Sequence, residues 1–290
     1  MSMRINPIAY EVQVRPLRKK AGQIDVLRTL MQSVCNSQDI VEQDGLEGVT
    51  LSVYTASRSA ALYIKKTLVK FRLKNVAIKL KVLKGADWLT KWKSTFKPFM
   101  LTRRMEVIPL WLKGRYRPRR KGAIYLDTSL AFGTGLHPTT RFMVSLIERL
   151  QGQFESFLDI GTGTGILSIF ALHQGAKACA CLDISKDAVA TARVNLTKNG
   201  YSHVKPVCCS IEKYKKKTQF DFVAANLITH DLISFHKQIL PFVKPKKYLA
   251  VSGISIKNYP AFRRVFDRLP LRCLKIMKEE GWTAVLYQKQ

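Results

Sequence analysis

From Ile8 to Val14 apolar and polar residues alternate, the period of a half-buried strand. Residues 20–34 then carry apolar side chains at helical spacing, through Ile24, Leu27, Leu30, Met31 and Val34. The same signatures recur downstream. Val49–Tyr54 alternates behind the turn residues Asp44-Gly45 and Glu47-Gly48, Ser57–Phe71 is spaced as a helix, and Val76–Leu83 alternates through Val76, Ile78, Leu80 and Val82. This order predicts a small split β-α-β sandwich over about the first 85 residues. Asp87–Lys93, with Trp88 and Trp92, reads as a short linking helix.

Beyond residue 122 the pattern changes. Apolar runs at Phe157–Ile160, Ala178–Leu182, Val204–Cys208, Phe220–Ala225 and Tyr248–Val251 alternate with amphipathic stretches at 137–150, 165–174, 185–199, 229–240 and 257–267. Short buried strands separated by helices predict a parallel sheet covered on both faces. Two further runs, 271–277 and 282–288, are joined by Glu279-Glu280-Gly281 and predict a hairpin, so the last strand is expected to be antiparallel. The expected organisation is a small α+β domain over 1–85, a linker helix and basic loop over 86–121, and a doubly wound α/β domain over 122–290.

Composition narrows the class. The 290 residues are 47% hydrophobic and 24% charged, which excludes collagen-like, low-complexity and wholly disordered chains. No apolar run approaches the roughly 20 residues of a membrane span. Met1–Pro7 has no apolar signal core, so a cytoplasmic location with no membrane association is expected. The six cysteines follow neither a disulfide framework nor the paired C-x-x-C spacing of zinc sites; reduced core thiols and no metal are expected.

Charge is the unusual feature, and it is uneven. Lys and Arg number 49 against 20 Asp and Glu, a net +29. Residues 58–121 hold 20 basic and two acidic residues, ending in the run Lys113-Gly-Arg115-Tyr-Arg117-Pro-Arg119-Arg120-Lys121. A solvated charged face is the plain explanation. Such an excess also fits attraction to a polyanion such as RNA, ribosomes or an anionic membrane.

The chemistry centres on Leu158-Asp159-Ile160-Gly161-Thr162-Gly163-Thr164-Gly165-Ile166, between a predicted strand and a predicted helix. Glycines let the backbone turn sharply and approach a ligand, and the helix start offers free N–H groups. A dinucleotide site wants G-x-G-x-x-G, and Ile166 stands where its last glycine would fall. Asp183, at the end of the next strand and 20 residues after Gly163, suits the two hydroxyls of an adenosine ribose; capping of helix 185–199 is its structural alternative.

The stretch 155–290 resembles the class I S-adenosylmethionine-dependent methyltransferases, whose seven-stranded sheet ends in an antiparallel strand. Ala131-Phe132-Gly-Thr-Gly135-Leu-His137-Pro138-Thr-Thr140, Asp87-Trp88…Trp92-Lys93 and Ile108-Pro109…Trp111 are similar to segments of the ribosomal protein L11 lysine methyltransferase family, and extend the resemblance to nearly the whole chain. The resemblance implies a small N-terminal substrate-recognition domain and a protein-lysine N-methyltransferase. Its implied partner is ribosomal protein L11, free or on the large ribosomal subunit, methylated on lysine side chains and its N-terminal amine; near that substrate, ribosomal RNA is a natural counterpart for the charge excess of 58–121. Thr140, Gly161, Asp183 and Asn226 match the family's positions for S-adenosylmethionine, and Asp159, Gly163 and Gly165 complete the loop. Asn226, in Ala225-Asn226-Leu227-Ile228, falls beside the reacting methyl and is the candidate catalytic residue.

His137 is a candidate proton acceptor or a loop-structuring group ahead of Pro138, and Phe132 either walls the methyl pocket or packs. The family's acidic residue after the third strand is replaced by Cys209-Ser210. Two alternatives follow from the charge: an RNA methyltransferase acting on ribosomal RNA, and a catalytically silent ribosome-binding factor. Leu227-Ile228-Thr229 lacks the aromatic clamp used for planar base amines, which favours a lysine-like acceptor.

Overall fold

The computed structural model describes residues 8–17, 23–32, 34, 40–45, 48–55, 58–71, 73–84, 97–120, 122–127, 135–214 and 218–290. The Asp87–Lys93 segment and Phe132, with the first part of its signature, lie outside the described residues. The chain divides into two compact units, Met1–Lys97 and Pro98–Gln290.

The first unit runs β1 (Ile8–Pro16), α1 (Gln23–Gln32), β2 (Ile40–Gly45), β3 (Gly48–Thr55), α2 (Arg58–Lys70) and β4 (Val76–Lys84). Its sheet has the order β2-β3-β1-β4 with every neighbour antiparallel, so β3 splits the β1-α1-β2 unit. Alternation puts Val12, Val14, Leu51 and Val53 on one face. Leu27 and Met31 of α1 and Ala61, Ile64 and Leu68 of α2, spaced three or four apart, close the core over them. Strand β2 was not foreseen, because only Ile40 and Val41 are apolar in it.

The second unit begins with β5 (Phe99–Met100), β6 (Met105–Pro109) and β7 (Gly122–Leu126), a three-stranded sheet. These strands correct the expectation of a linker and loop running to 121. All five residues of β6 are buried, with Glu106 among them, so no alternation marks it in the sequence.

The large sheet comprises β8 (Ser156–Ile160), β9 (Ala178–Asp183), β10 (Val207–Cys208), β11 (Phe220–Asn226), β12 (Val243–Ser255), β13 (Leu271–Glu279) and β14 (Trp282–Lys289). Helices α3 (Pro138–Arg149), α4 (Ile166–His173), α5 (Lys186–Lys198), α6 (Thr229–Ile239) and α7 (Tyr259–Phe266) connect and cover it. Strand order is β10-β9-β8-β11-β12-β14-β13, parallel except that β14 runs against both β12 and β13. This is the seven-stranded doubly wound sheet the pattern implied. Glu280 (φ 48) and Gly281 (φ 80) form the two-residue turn of the last hairpin, the twist-compatible kind.

Two strands differ in extent. Of the expected 204–208 strand only Val207–Cys208 pairs, at the sheet edge. The expected Tyr248–Val251 strand is the centre of a 13-residue β12 that bulges at Gly253 (φ 86), where its register against β14 shifts between Val251 and Ile254. The five described cysteines are free. Among the described residues no helix is long and apolar enough to cross a membrane, and no three His, Cys, Asp or Glu side chains are grouped for a metal.

Candidate active site

Strand order reverses between β8 and β11, the kind of switch point at whose carboxyl strand ends open α/β sheets bind ligands. Register fixes what meets in it. Ile160 pairs with Leu182 on one side and with Ala225 on the other, so the next residues, Asp183, Gly161 and Asn226, stand in a row at three adjacent strand ends. The sequence reading named all three, and the sheet brings them together.

The loop after β8 is shaped by its glycines. Gly161 (φ 75), Gly163 (φ 56) and Gly165 (φ 82) occupy the left-handed region, where a side chain is strained. The amides of Gly161 and Thr162 both donate to Leu182 O at 2.9 Å, tying the loop to β9. Asp183 completes the tie. Its Oδ2 accepts from the Gly163 amide and its Oδ1 from the Ser185 amide, both at 2.9 Å. A carboxylate offers about four lone-pair positions, so two remain for a diol.

Asp159 plays a different part from the one expected. It is fully buried beneath the loop, with Oδ2 accepting from Thr162 Oγ1 (2.8 Å) and Ser168 Oγ (2.7 Å), while Oδ1 has no partner among the described residues. Burial pushes its carboxyl up to about 6, against the pull of the Ser168 and Thr162 hydroxyls. Its geometry is that of a brace under the glycine loop.

The signature segment reaches the same place through α3. Gly135 (φ 92) fits so closely that a Cβ there would fall 2.7 Å from Ile166 Cδ1, the first side chain of α4. Thr140, 1% exposed in the first turn of α3, carries a hydroxyl with no partner among the described residues. His137 caps that helix. Its Nδ1 accepts from the Thr139 amide (3.3 Å) and lies 2.7 Å from Thr139 Oγ1, and its ring meets Trp282 edge-on at 5.1 Å. Burial first, and then the nearby Arg141, holds the imidazole down at about 4. Such a ring is a weak base at neutral pH, and the capping alternative fits it better than proton transfer.

Asn226 ends β11, and its carboxamide bonds to none of the described residues. Leu227 follows it between two glycines. A Cβ on Gly161 would fall 2.5 Å from Leu227 Cδ2, and one on Gly253 would overlap the Leu227 carbonyl. Leu227 N also donates to Ser252 O at 3.1 Å. The backbone after Asn226 is thus held by the β12 bulge, and the Leu227 side chain packs against Gly161.

Several participants escaped the sequence reading. Ile184, immediately after Asp183, is 78% exposed, an apolar surface beside the ribose carboxylate. The Ser210 hydroxyl, where the acidic residue is missing, is enclosed without a partner among the described residues. Asn195, fully buried on α5, donates to Thr164 O (2.9 Å) and Asp127 O (3.0 Å) and accepts from Asp127 N (2.7 Å). One turn later Asn199 bonds Tyr125 N and O in the same way (2.9 and 2.7 Å). The asparagines, four apart on one helix face, fasten β7 and Asp127 at its end to the glycine loop. That spacing was the one available signal. A cavity of about 440 Å³ lined by Arg149, Tyr248, Arg272 and Gln288 lies at the other end of the strands and takes no part in the site.

These residues fit an adenosyl sulfonium. A half-free carboxylate could accept from a diol, an exposed isoleucine could give an aromatic base an apolar surface, and two hydroxyls without partners among the described residues could meet polar groups.

Comparison with known proteins points to one family. The family model described as "Ribosomal protein L11 methyltransferase (PrmA)" matches residues 19–290. A ribosomal protein L11 methyltransferase of Geobacter metallireducens is 34% identical over 206 residues, 71% of this chain and 67% of the relative. One of Staphylococcus aureus is 30% identical over 218 residues, 74% and 69% of the two chains. Among solved structures, the ribosomal protein L11 methylase of Lactobacillus delbrueckii subsp. bulgaricus superposes with a TM-score of 0.62 at 27% identity, covering 67% of this chain and all (100%) of that one.

Proposed function

The chain belongs to the ribosomal protein L11 methyltransferase family, and from that premise we propose that it methylates lysine side chains, and the N-terminal amine, of ribosomal protein L11. The observation that carries the chemistry is the row Asp183–Gly161–Asn226 across three neighbouring strand ends. S-adenosylmethionine, when bound, supplies a methyl group already activated on a sulfonium.

The protein's own residues then orient and shield. Asp183 takes the ribose hydroxyls, Gly161 and Gly163 let the backbone close on the ligand, and Thr140 and Ser210 offer their unpaired hydroxyls to its polar ends. Asp159 braces the loop from below. Asn226 Oδ1 accepts a hydrogen of the incoming amine and aims its lone pair, and alignment of this kind supplies much of a transfer reaction's acceleration. The amine's proton leaves to solvent, since His137 is buried as a cap; it is a positioning residue.

Exposed Ile228 and buried Thr229, where a base-modifying enzyme would want a planar clamp, support a flexible aliphatic amine over a nucleobase. The first unit, Met1–Lys97, serves substrate recognition. Ribosomal protein L11 is taken free or on the large subunit in the cytoplasm, with the basic 58–121 stretch against ribosomal RNA. Incubation with methyl-labelled S-adenosylmethionine and unmodified ribosomes, followed by separation of protein from RNA, tests the proposal. Label should enter ribosomal protein L11. Label confined to RNA would reject the reading, and cofactor binding with no label at all would leave a silent ribosome-binding factor.

A further inference from the structure

Residues 98–126 contain eight basic residues and one acid, Glu106. The acid is consumed internally. Glu106 is 1% exposed; its Oε1 accepts from Tyr116 OH at 2.7 Å and its Oε2 from the Arg119 amide at 2.8 Å. Those two bonds pull the loop after β6 down onto the strand. Backbone bonds from Arg115 N and Tyr116 N to Leu112 O, both 2.9 Å, shape its first half. A sequence rich in Arg, Gly and Pro, which reads as a solvated loop, is therefore held in one conformation.

Pairing brings a second basic segment beside it. Strands β6 and β7 are parallel, with Met105 opposite Gly122. Arg103-Arg104, just ahead of β6, and Arg119-Arg120, two residues ahead of β7, precede the two strands at the same end of the sheet. A Cβ on Gly122 would lie 3.0 Å from Arg104 O. The Arg103-Arg104 turn is itself fixed, since Leu101 N and Thr102 N donate to Met105 O (2.9 and 3.2 Å) and Arg104 N donates to Thr102 Oγ1 (3.2 Å).

Arg103, Arg104, Arg115, Arg117, Arg119 and Arg120 are all exposed, and none forms an ion pair among the described residues. Every head group is a guanidinium, whose planar fork matches a phosphate. We propose that this ordered arginine surface docks the phosphate backbone of RNA. The inference deepens the ribosomal reading of the enzyme and rests on it for the source of the RNA. The surface is remote from the chemistry. Strand β7 separates it from Asp127, which is tied to the glycine loop through Asn195; five residues at about 3.3 Å each make roughly 16 Å. Docking there leaves the cofactor residues untouched.

Titrating the full chain with a fluorescent RNA duplex of about 20 base pairs, between roughly 50 and 200 mM salt, tests this. The wild type should bind with a strong salt dependence. Replacing the six arginines by Ser should flatten the log–log slope by up to roughly 5, at about 0.9 for each phosphate no longer neutralised, while methylation of free ribosomal protein L11 stays unchanged. Circular dichroism checks that this variant folds. Tyr116→Phe, which alters no charge, should weaken RNA binding about 3–10-fold by releasing one tether of the loop, on the order of one neutral hydrogen bond.

Equal affinity and slope for wild type and the six-Ser variant would overturn the proposal, as would an unaffected Tyr116→Phe. Two more results would also overturn it: vesicles of phosphatidylglycerol bound in place of RNA, and an equal loss of methylation on free ribosomal protein L11. RNA binding as expected with no methylation of that protein by the wild type would leave the surface standing and sink the enzyme assignment instead.

Discussion

Asp183 Oδ2 accepts the Gly163 amide at 2.9 Å, so the carboxylate proposed for the ribose also fixes the glycine loop beside it. Binding and shape are joined in one side chain. Asp183→Ala would remove the ribose contacts and leave the Gly163 and Ser185 amides without their acceptor. Cofactor affinity should fall roughly 30–150-fold, about 2–3 kcal/mol, with a lowered melting temperature. Calorimetric titration returning the wild-type Kd would refute the assignment.

Thr140 yields a prediction with two opposite signs. Its enclosed hydroxyl has no partner among the described residues, a condition that costs about 1–3 kcal/mol. Thr140→Val keeps the shape and removes the orphan. The free protein should melt higher, while cofactor affinity drops about 3–10-fold through the loss of one neutral hydrogen bond. A variant that melts lower and binds normally would make Thr140 an ordinary core residue.

Leu227 sits between two glycines that exclude different atoms. A Cβ on Gly161 meets the far end of its side chain, whereas one on Gly253 meets its backbone carbonyl. Gly253→Ala should cost about 1–3 kcal/mol of stability, through the clash and the positive φ, and should lower kcat by displacing Asn226. Adding Leu227→Ala should partly restore Gly161→Ala and leave Gly253→Ala unrescued. Equal rescue of both by the double variants, read in kcat, would show that the backbone contact does not position Asn226.

His137 determines a pH dependence. Its folded-state value of about 4 lies below the 6.5 of the unfolded chain, so between these limits the unfolded state binds more protons. Acidification across that window favours unfolding, by on the order of 3 kcal/mol at its lower end. Asp159, raised from 3.8 to about 6, acts in the opposite sense: its contribution is present at low pH and is lost as pH rises through 6. His137→Asn keeps a good capping residue and removes only the first effect. The melting-temperature difference between wild type and variant should shift against the wild type as pH falls from 6.5 to 4. A difference independent of pH would contradict the buried, neutral imidazole.

What the sequence determined by itself is the chemistry encoded within a few residues. A buried strand, three glycines and a helix start lie within Leu158–Ile166, and Asp183 and Asn226 each end an apolar run, so local spacing alone places them at strand ends. The alternation of short apolar runs with amphipathic stretches similarly implies the parallel sheet. Tertiary structure decided what depends on neighbours far along the chain. Asn195 reaches Asp127 across 68 residues, and nothing in either segment announces the partner. Ile184 and Ser210 look like unremarkable loop residues until the edge strand β10 places Cys208 beside Asp183. Buried without alternation, β6 was invisible as a strand, and with it the pairing that sets Arg103-Arg104 against Arg119-Arg120. His137 reads as either a proton acceptor or a loop-structuring group, and its contacts with Thr139 and Trp282 make it a helix cap. Periodicity reports which face of an element is buried; only packing decides against what it is buried, and desolvation, pairing and reach all follow from that.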